Sequence, residues 1–178
     1  MPSEMTSIVL MGPAGCGKST IGSLLRSKLH GCFIEGDTFH SIHNISKMSS
    51  GVPLTDDDRQ PWLERIHSEI VKARLSSQST PIIVACSALK RRYRRVLARP
   101  PNADTLFVLL DAPADILEAR IRQRSDHFLP PSMLQSQLET LEVPLTGVEN
   151  FLIVDATLHP DEVVARILAG LKAADSVS

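Results

Sequence analysis

The sequence predicts an α/β fold: a three-layer sandwich in which a five-stranded parallel sheet carries helices on both faces. Three observations lead to it. Five stretches of strand length, at 7–11, 32–35, 81–86, 105–110 and 151–154, read as continuous apolar runs rather than alternating ones, as in strands covered on both faces. Segments with apolar residues at helical spacing lie between them, the alternation that builds parallel sheets. Finally, Gly12-Pro13-Ala14-Gly15-Cys16-Gly17-Lys18-Ser19 fits G-x-x-x-x-G-K-[ST] between the first strand and a helix, the context in which that motif is a phosphate-binding P-loop.

The first strand delivers the chain into this loop. Gly12, Gly15 and Gly17 allow a tight turn that brings bare N–H groups against phosphate oxygens, with the partial positive charge of a helix start behind them. Residues Gly12 through Thr20 are the nucleotide contacts; Lys18 reaches the β- and γ-phosphates and the Ser19 hydroxyl ligates Mg²⁺. Ile21, Leu24, Leu25 and Leu29 mark the buried face of the following helix. Switches, motors and small-molecule kinases all share such a loop, so it specifies nucleotide binding and not the chemistry.

The second strand ends in Glu35-Gly36-Asp37, with His40 close behind. Glu35 or Asp37 could assist magnesium through water, or take a proton from an attacking hydroxyl; the plainer reading is an acidic loop that caps the next helix. Trp62, Leu63, Ile66, Ile70 and Ala73 mark a helix, and in the run Asp56-Asp57-Asp58 the charge of Asp57 suits the positive end of its dipole. The third strand ends in Cys86-Ser87, without the Walker-B aspartate many P-loop proteins place there, so magnesium leans on Ser19, on Glu35 or Asp37 through water, and on the nucleotide. In the basic run that follows, Lys90 and Arg94 share a helix face that could look into the cleft, and Arg91 and Arg95 a neighbouring one; the alternative is a solvated basic face. After the fourth strand, Arg120, Arg122 and Arg124 precede Asp126-His127-Phe128. A segment over about 122–135 reads as a small lid that brings an arginine onto the transferring phosphoryl group. The fifth strand leads into a last helix marked by Val163, Val164, Ile167, Leu168 and Leu171.

At 178 residues the chain reads as a single domain, 1–178, without internal repeats or low-complexity linkers. Nineteen Lys and Arg against twenty Asp and Glu leave a formal charge of −1, which offers no general attraction to nucleic acid or to an anionic membrane. Three widely spaced cysteines without a C-x-x-C argue against a disulfide framework or a zinc site and suit a reducing compartment. With no basic leader and long apolar stretch ahead of the first strand, and no run of membrane-spanning length, a cytoplasmic protein is expected.

The residues between the P-loop and the third strand carry a more specific signal. Asp37-x-x-His40-x-x-x-Asn44-x-x-Lys47-Met48-x-x-Gly51-x-Pro53-Leu54-x-Asp56-x-Asp58-Arg59-x-Pro61-Trp62-Leu63 resembles the signature of the gluconokinase family, small P-loop kinases that phosphorylate D-gluconate from ATP. The likeness continues at Cys86-Ser87-Ala88-Leu89-Lys90-x-x-Tyr93-Arg94, at Arg124-x-x-His127-Phe128 and at Ser136-Gln137-x-Glu139-Thr140-Leu141-Glu142-x-Pro144, spanning nearly the whole chain in order. The resemblance implies a nucleoside-monophosphate-kinase-like sheet, ATP and Mg²⁺ as cofactors, a homodimer, and a substrate-binding segment over about 37–63. It also implies roles. Arg59, Lys90, Arg94 and Lys47 are candidate cations for the gluconate carboxylate, His40 and His127 partners for its hydroxyls, and Asp37 the group that orients or deprotonates the C6 hydroxyl. Lys18, magnesium and Arg124 supply most of the charge neutralisation, with Arg120 and Arg124 on the nucleotide. Three positions depart from the family pattern: Ser41 stands where proline is frequent, Asp126 where glycine precedes the His-Phe pair, and Glu35, a mild change in reach, where aspartate is also common. A kinase for another small acceptor, such as shikimate or a nucleoside monophosphate, shares the P-loop and lid but does not explain the 37–63 pattern. A nucleotide-dependent switch finds neither N-K-x-D nor D-x-x-G in this chain.

Overall fold

The computed structural model describes residues 7–76, 80–123, 130 and 132–175. The first strand, β1 (Ser7–Met11), is buried along its whole length, and its side chains divide between two cores: Ile8 and Leu10 join one, Val9 and Met11 the other. A strand with a core on each face has no polar side to show, which is why its sequence does not alternate.

The chain continues through α1 (Lys18–Leu29), β2 (Cys32–Glu35), a 3-10 turn (Gly36–Phe39), α2 (Ile42–Ser49), α3 (Asp56–Ser76), β3 (Ile82–Ala85), α4 (Arg91–Leu97), β4 (Leu106–Asp111), α5 (Ala114–Arg122), α6 (Ser132–Thr140), β5 (Phe151–Asp155) and α7 (Pro160–Asp175). Every pairing is parallel, in the order β2-β3-β1-β4-β5. On one face Ile21 and Leu25 of α1 pack with Leu117 of α5 and Ile167 of α7; on the other, Leu63, Ile66 and Ile70 of α3 pack with Tyr93 and Leu97 of α4. The three-layer sandwich with a five-stranded parallel sheet is thus as expected. Burial on both faces holds less well for β5: it ends the sheet, and its Ile153 is 46% exposed. Among the described residues no helix is long and apolar enough to cross a membrane.

Two helix starts explain residues in the acidic and substrate-binding segment. Ser41 caps α2, its Oγ accepting a hydrogen bond from the Asn44 N–H at 3.1 Å, so the departure from proline supplies a helix cap. At α3, Thr55 and Asp58 cap reciprocally: the Thr55 N–H donates to Asp58 Oδ2 at 2.7 Å and the Asp58 N–H to Thr55 Oγ1 at 3.1 Å. The capping carboxylate is therefore that of Asp58, while Asp57 stands in the first turn as a charge beside the dipole.

The end of β2 runs very close to β3. A Cβ on Gly36 would stand 2.4 Å from the Ala85 carbonyl oxygen, a backbone atom that cannot swing aside. Gly36→Ala is expected to destabilise the fold by about 1–3 kcal/mol through this overpacking, seen as a lower urea midpoint at an unchanged m value; an unchanged midpoint would mean that the turn yields freely.

Candidate active site

The register places Leu10, Ala85 and Glu35 in one row, so the loops after β1, β3 and β2 leave the sheet side by side. The Gly12 N–H donates to the Ser87 carbonyl at 3.1 Å and joins the first two. Gly12, Gly15 and Gly17 have positive φ. At Gly15, where φ is +82°, a Cβ would also lie 2.8 Å from the Leu117 carbonyl, so the loop can pass α5 only as glycine. Lys18 opens α1 and turns its Nζ back onto the Gly12 and Pro13 carbonyls, at 3.0 and 3.1 Å. The Ser19 hydroxyl donates to Glu35 Oε2 at 2.5 Å. Of the two carboxylates named for magnesium, Glu35 is the one in contact with Ser19.

This hydroxyl–carboxylate pair fits a magnesium ion, which takes hard oxygen donors and keeps several ligands from water and phosphate. Among the described residues no group of three His, Cys, Asp or Glu could hold a metal on its own. Such an ion would therefore depend on nucleotide oxygens. At the end of β3, where the Walker-B aspartate is missing, burial pushes the Cys86 thiol up to about 12 and leaves it protonated.

A cleft runs from Lys18 and Ser19 to Asp37, His40, Arg59 and Trp62. Trp62 organises the far side. Its Nε1 donates to the Gly36 carbonyl at 2.8 Å, and its ring stacks on His40 with centroids 4.1 Å apart and planes inclined by 13°. Burial lowers His40 to about 4, against the raising influence of Asp37 and with a smaller push from Arg59. The imidazole is neutral at physiological pH and offers one donor and one acceptor. Arg59 donates to the Leu54 carbonyl and, at 3.5 Å, to the Tyr93 hydroxyl, with its guanidinium 5.5 Å from the Tyr93 ring centroid.

A family model described as AAA domain matches residues 8–144. The chain is 40% identical to the probable gluconokinase of Mus musculus, over 93% of this chain and 97% of that protein. It is 38% identical to the thermoresistant gluconokinase of Escherichia coli (strain K12), over 92% of each. Among solved structures, a gluconokinase from Sinorhizobium meliloti 1021 superposes with a TM-score of 0.82 at 44% identity, covering 96% of this chain and 94% of that one. The chain belongs to the gluconokinase family.

In this gluconokinase-family chain the sequence-predicted site residues separate. Lys18, Ser19, Asp37, His40 and Arg59 line one cleft. Lys47 and Lys90 do not line it and are held by α3: Lys47 Nζ meets Asp58 Oδ2 at 2.6 Å, and Lys90 Nζ meets Asp56 Oδ1 at 2.9 Å. Hydrogen bonds from Lys47 and Thr55 hold the Asp58 carboxyl far below the usual range. Those from Tyr93 and then Lys90 bring Asp56 down to about 2. Arg94 requires a correction. Its side chain is 1% exposed; Nε and Nη2 bind Glu149 at 2.6 and 3.1 Å, and Nη1 donates to the Ala88 and Leu89 carbonyls. A buried guanidinium with these partners holds the 142–149 loop and cannot meet a substrate. The face it was expected to share with Lys90 does not form either, because α4 begins at Arg91 and Lys90 precedes it with extended backbone.

Arg120 donates from Nη2 to the Ala156 carbonyl at 2.7 Å, tying α5 to the end of β5. Arg124 and His127 lie outside the described residues, as does half of the expected lid, whose flanks are the end of α5 and the start of α6. Sequence reasoning missed the polar contacts of Trp62, the Asp56–Tyr93 hydrogen bond, and Gln137, whose Oε1 accepts from the Ala14 N–H at 2.7 Å. For Gln137 the available signal was its place in the 136–144 stretch of the family pattern.

Arg94→Ala takes the partner from half-buried Glu149 and the donor from the Ala88 and Leu89 carbonyls, and is expected to cost about 3–5 kcal/mol in chemical denaturation; a nearly unchanged midpoint would contradict the structural role. For His40, the unfolded chain takes up a proton near 6.5 and the folded one only near 4, so protons favour unfolding and stability falls as pH drops through that window. His40→Phe should flatten this dependence in urea titrations between those values, and an unaltered slope would contradict a buried neutral ring.

Proposed function

We propose that this chain transfers the γ-phosphoryl group of ATP, with Mg²⁺, to the C6 hydroxyl of D-gluconate, giving 6-phospho-D-gluconate and ADP. The observation that carries the reading is the cleft of a gluconokinase-family chain: phosphate-binding groups at one end, and a carboxylate, a neutral imidazole and a guanidinium at the other. Gluconate matches that polarity, with a carboxylate at one end and the reacting hydroxyl at the other.

Lys18 exchanges its two loop carbonyls for phosphate oxygens, and the P-loop N–H groups hold the phosphates in place. Ser19, with Glu35 behind it, would hold magnesium, which would supply positive charge to offset that of the nucleotide phosphates. Asp37 orients the C6 hydroxyl and takes its proton as the oxygen–phosphorus bond forms and the bond to the leaving ADP oxygen breaks. Arg59 retains guanidinium donors beyond those given to Leu54 and Tyr93, and these take the gluconate carboxylate. His40, held in one plane by Trp62, bonds a substrate hydroxyl without adding charge. Arg120, Arg124 and His127 are assigned by resemblance alone, the arginines to the nucleotide and the histidine to the acceptor. The cytoplasm is the proposed location, which suits the free thiols of Cys16, Cys32 and Cys86. A homodimer is proposed by the same resemblance.

The test is ADP release from Mg-ATP with D-gluconate, shikimate, a nucleoside monophosphate or no acceptor. Gluconate alone should stimulate it strongly; preference for another acceptor, or no stimulation by any, would overturn the assignment. Lys18→Ala and Asp37→Asn should each lower kcat by about a hundredfold or more while circular dichroism stays unchanged. Arg59→Ala should instead raise the KM for gluconate by about tenfold or more. Parental turnover in either of the first two variants would remove its assigned role.

A further inference from the structure

The P-loop is gripped by a side chain that the transfer described above does not use. Gln137, on α6, accepts the Ala14 N–H through Oε1 at 2.7 Å. A backbone N–H can only donate, so the orientation of this amide follows from chemistry: the oxygen faces Ala14, and the NH₂ end, with its two donors, is left over. Among the described residues nothing accepts a hydrogen bond from that Nε2. Gln137 lines the same cleft as Lys18, Ser19 and Asp37, and Ala14 belongs to the loop whose N–H groups gather phosphate. Lys47, Lys90 and Arg94, which the family pattern offers as further donors, are engaged with Asp58, Asp56 and Glu149.

We infer that Gln137 is a donor to the transferring phosphoryl group: Ala14 holds its carbonyl and thereby aims Nε2 at an oxygen of the γ-phosphoryl. The inference rests on the kinase reading above. Gln137 exchanges no proton and takes part in no bond change. It contributes a preset neutral donor where the equatorial oxygens carry charge during in-line transfer, and the protein has already oriented that donor before the nucleotide arrives.

Gln137→Glu isolates this role. A carboxylate can still accept from the Ala14 N–H, so the link between α6 and the P-loop survives, but the donor is gone. Calorimetry with Mg-ADP, which lacks the γ-phosphoryl, and with a non-hydrolysable ATP analogue, which has it, reads the difference without turnover. For Gln137→Glu, ADP affinity should stay within about twofold of the parent, while analogue affinity and kcat with gluconate each fall by about tenfold or more. Gln137→Ala should also lose the preference for the analogue over ADP. If Gln137 is only a tether, the Glu variant keeps both the analogue affinity and kcat, and the inference fails. If its oxygen merely holds the place of a phosphate oxygen, the Ala variant binds both nucleotides more tightly than the parent, and the inference fails again. Absence of gluconate-dependent turnover in the parent would count against the kinase reading alone, because the ADP-against-analogue comparison still decides where Nε2 points.

Discussion

Parallel pairing of β1, β3 and β2 is the constraint from which the cleft follows. Leu10, Ala85 and Glu35 occupy one row of the ladder, and neighbouring strands lie about 5 Å apart, so three loops start from adjacent points on one edge. The Gly12–Ser87 hydrogen bond, the Ser19–Glu35 contact and the entry of Asp37 into the cleft are consequences of that row. The row itself is held by burial. A slip of one residue would exchange Ile8 and Leu10 with Val9 and Met11 between two cores packed for different shapes. Ligands gather beyond the carboxyl ends of such strands because the loops there diverge while the strands behind them stay rigid.

Charge around the cleft is answered within the protein before any ligand arrives. Asp56 gathers Lys90, Arg92 and Tyr93; Asp58 holds Lys47 and caps α3; Glu149 satisfies buried Arg94. These pairs fix the start of α3 against the approach to α4 and against α2. In doing so they present Arg59 on Tyr93 and the Trp62–His40 stack as a preformed wall. A wall built this way is set by the protein's own contacts and needs little rearrangement to receive a ligand.

The sheet, α1, α3 and α7 were legible because each presents several apolar residues at a regular period. α2, α5 and α6 escaped that test. α2 buries only Asn44 and Met48, α5 only Leu117 and Ile121, and α6 only Met133 and Leu134, too few positions for a period to show in helices of eight or nine residues. Charged residues were the least legible. The spacing of Lys90 and Arg94 suggested a common face, yet the helix starts one residue after Lys90 and turns Arg94 inward to Glu149. Ser41 and Asp58 are intermediate cases: their residue types suit helix starts, but only the backbone shows which N–H each one serves.

The sequence by itself determined the parallel α/β sheet, the phosphate loop and the family. The first two are written in neighbouring residues, as apolar runs that need cover on two faces and glycines where the chain must turn with positive φ, and the family in a spaced pattern that runs from Asp37 to Pro144. Tertiary structure alone decided which polar groups face the cleft and which face one another. Glu35 rather than Asp37 met Ser19, Arg59 rather than Arg94 lined the cleft, and Gln137 reached Ala14 across 123 positions of sequence. The reason is physical. A charged or amide side chain takes its role from the partner it meets in three dimensions and from how much water is left around it, and neither is a property of its neighbours in sequence.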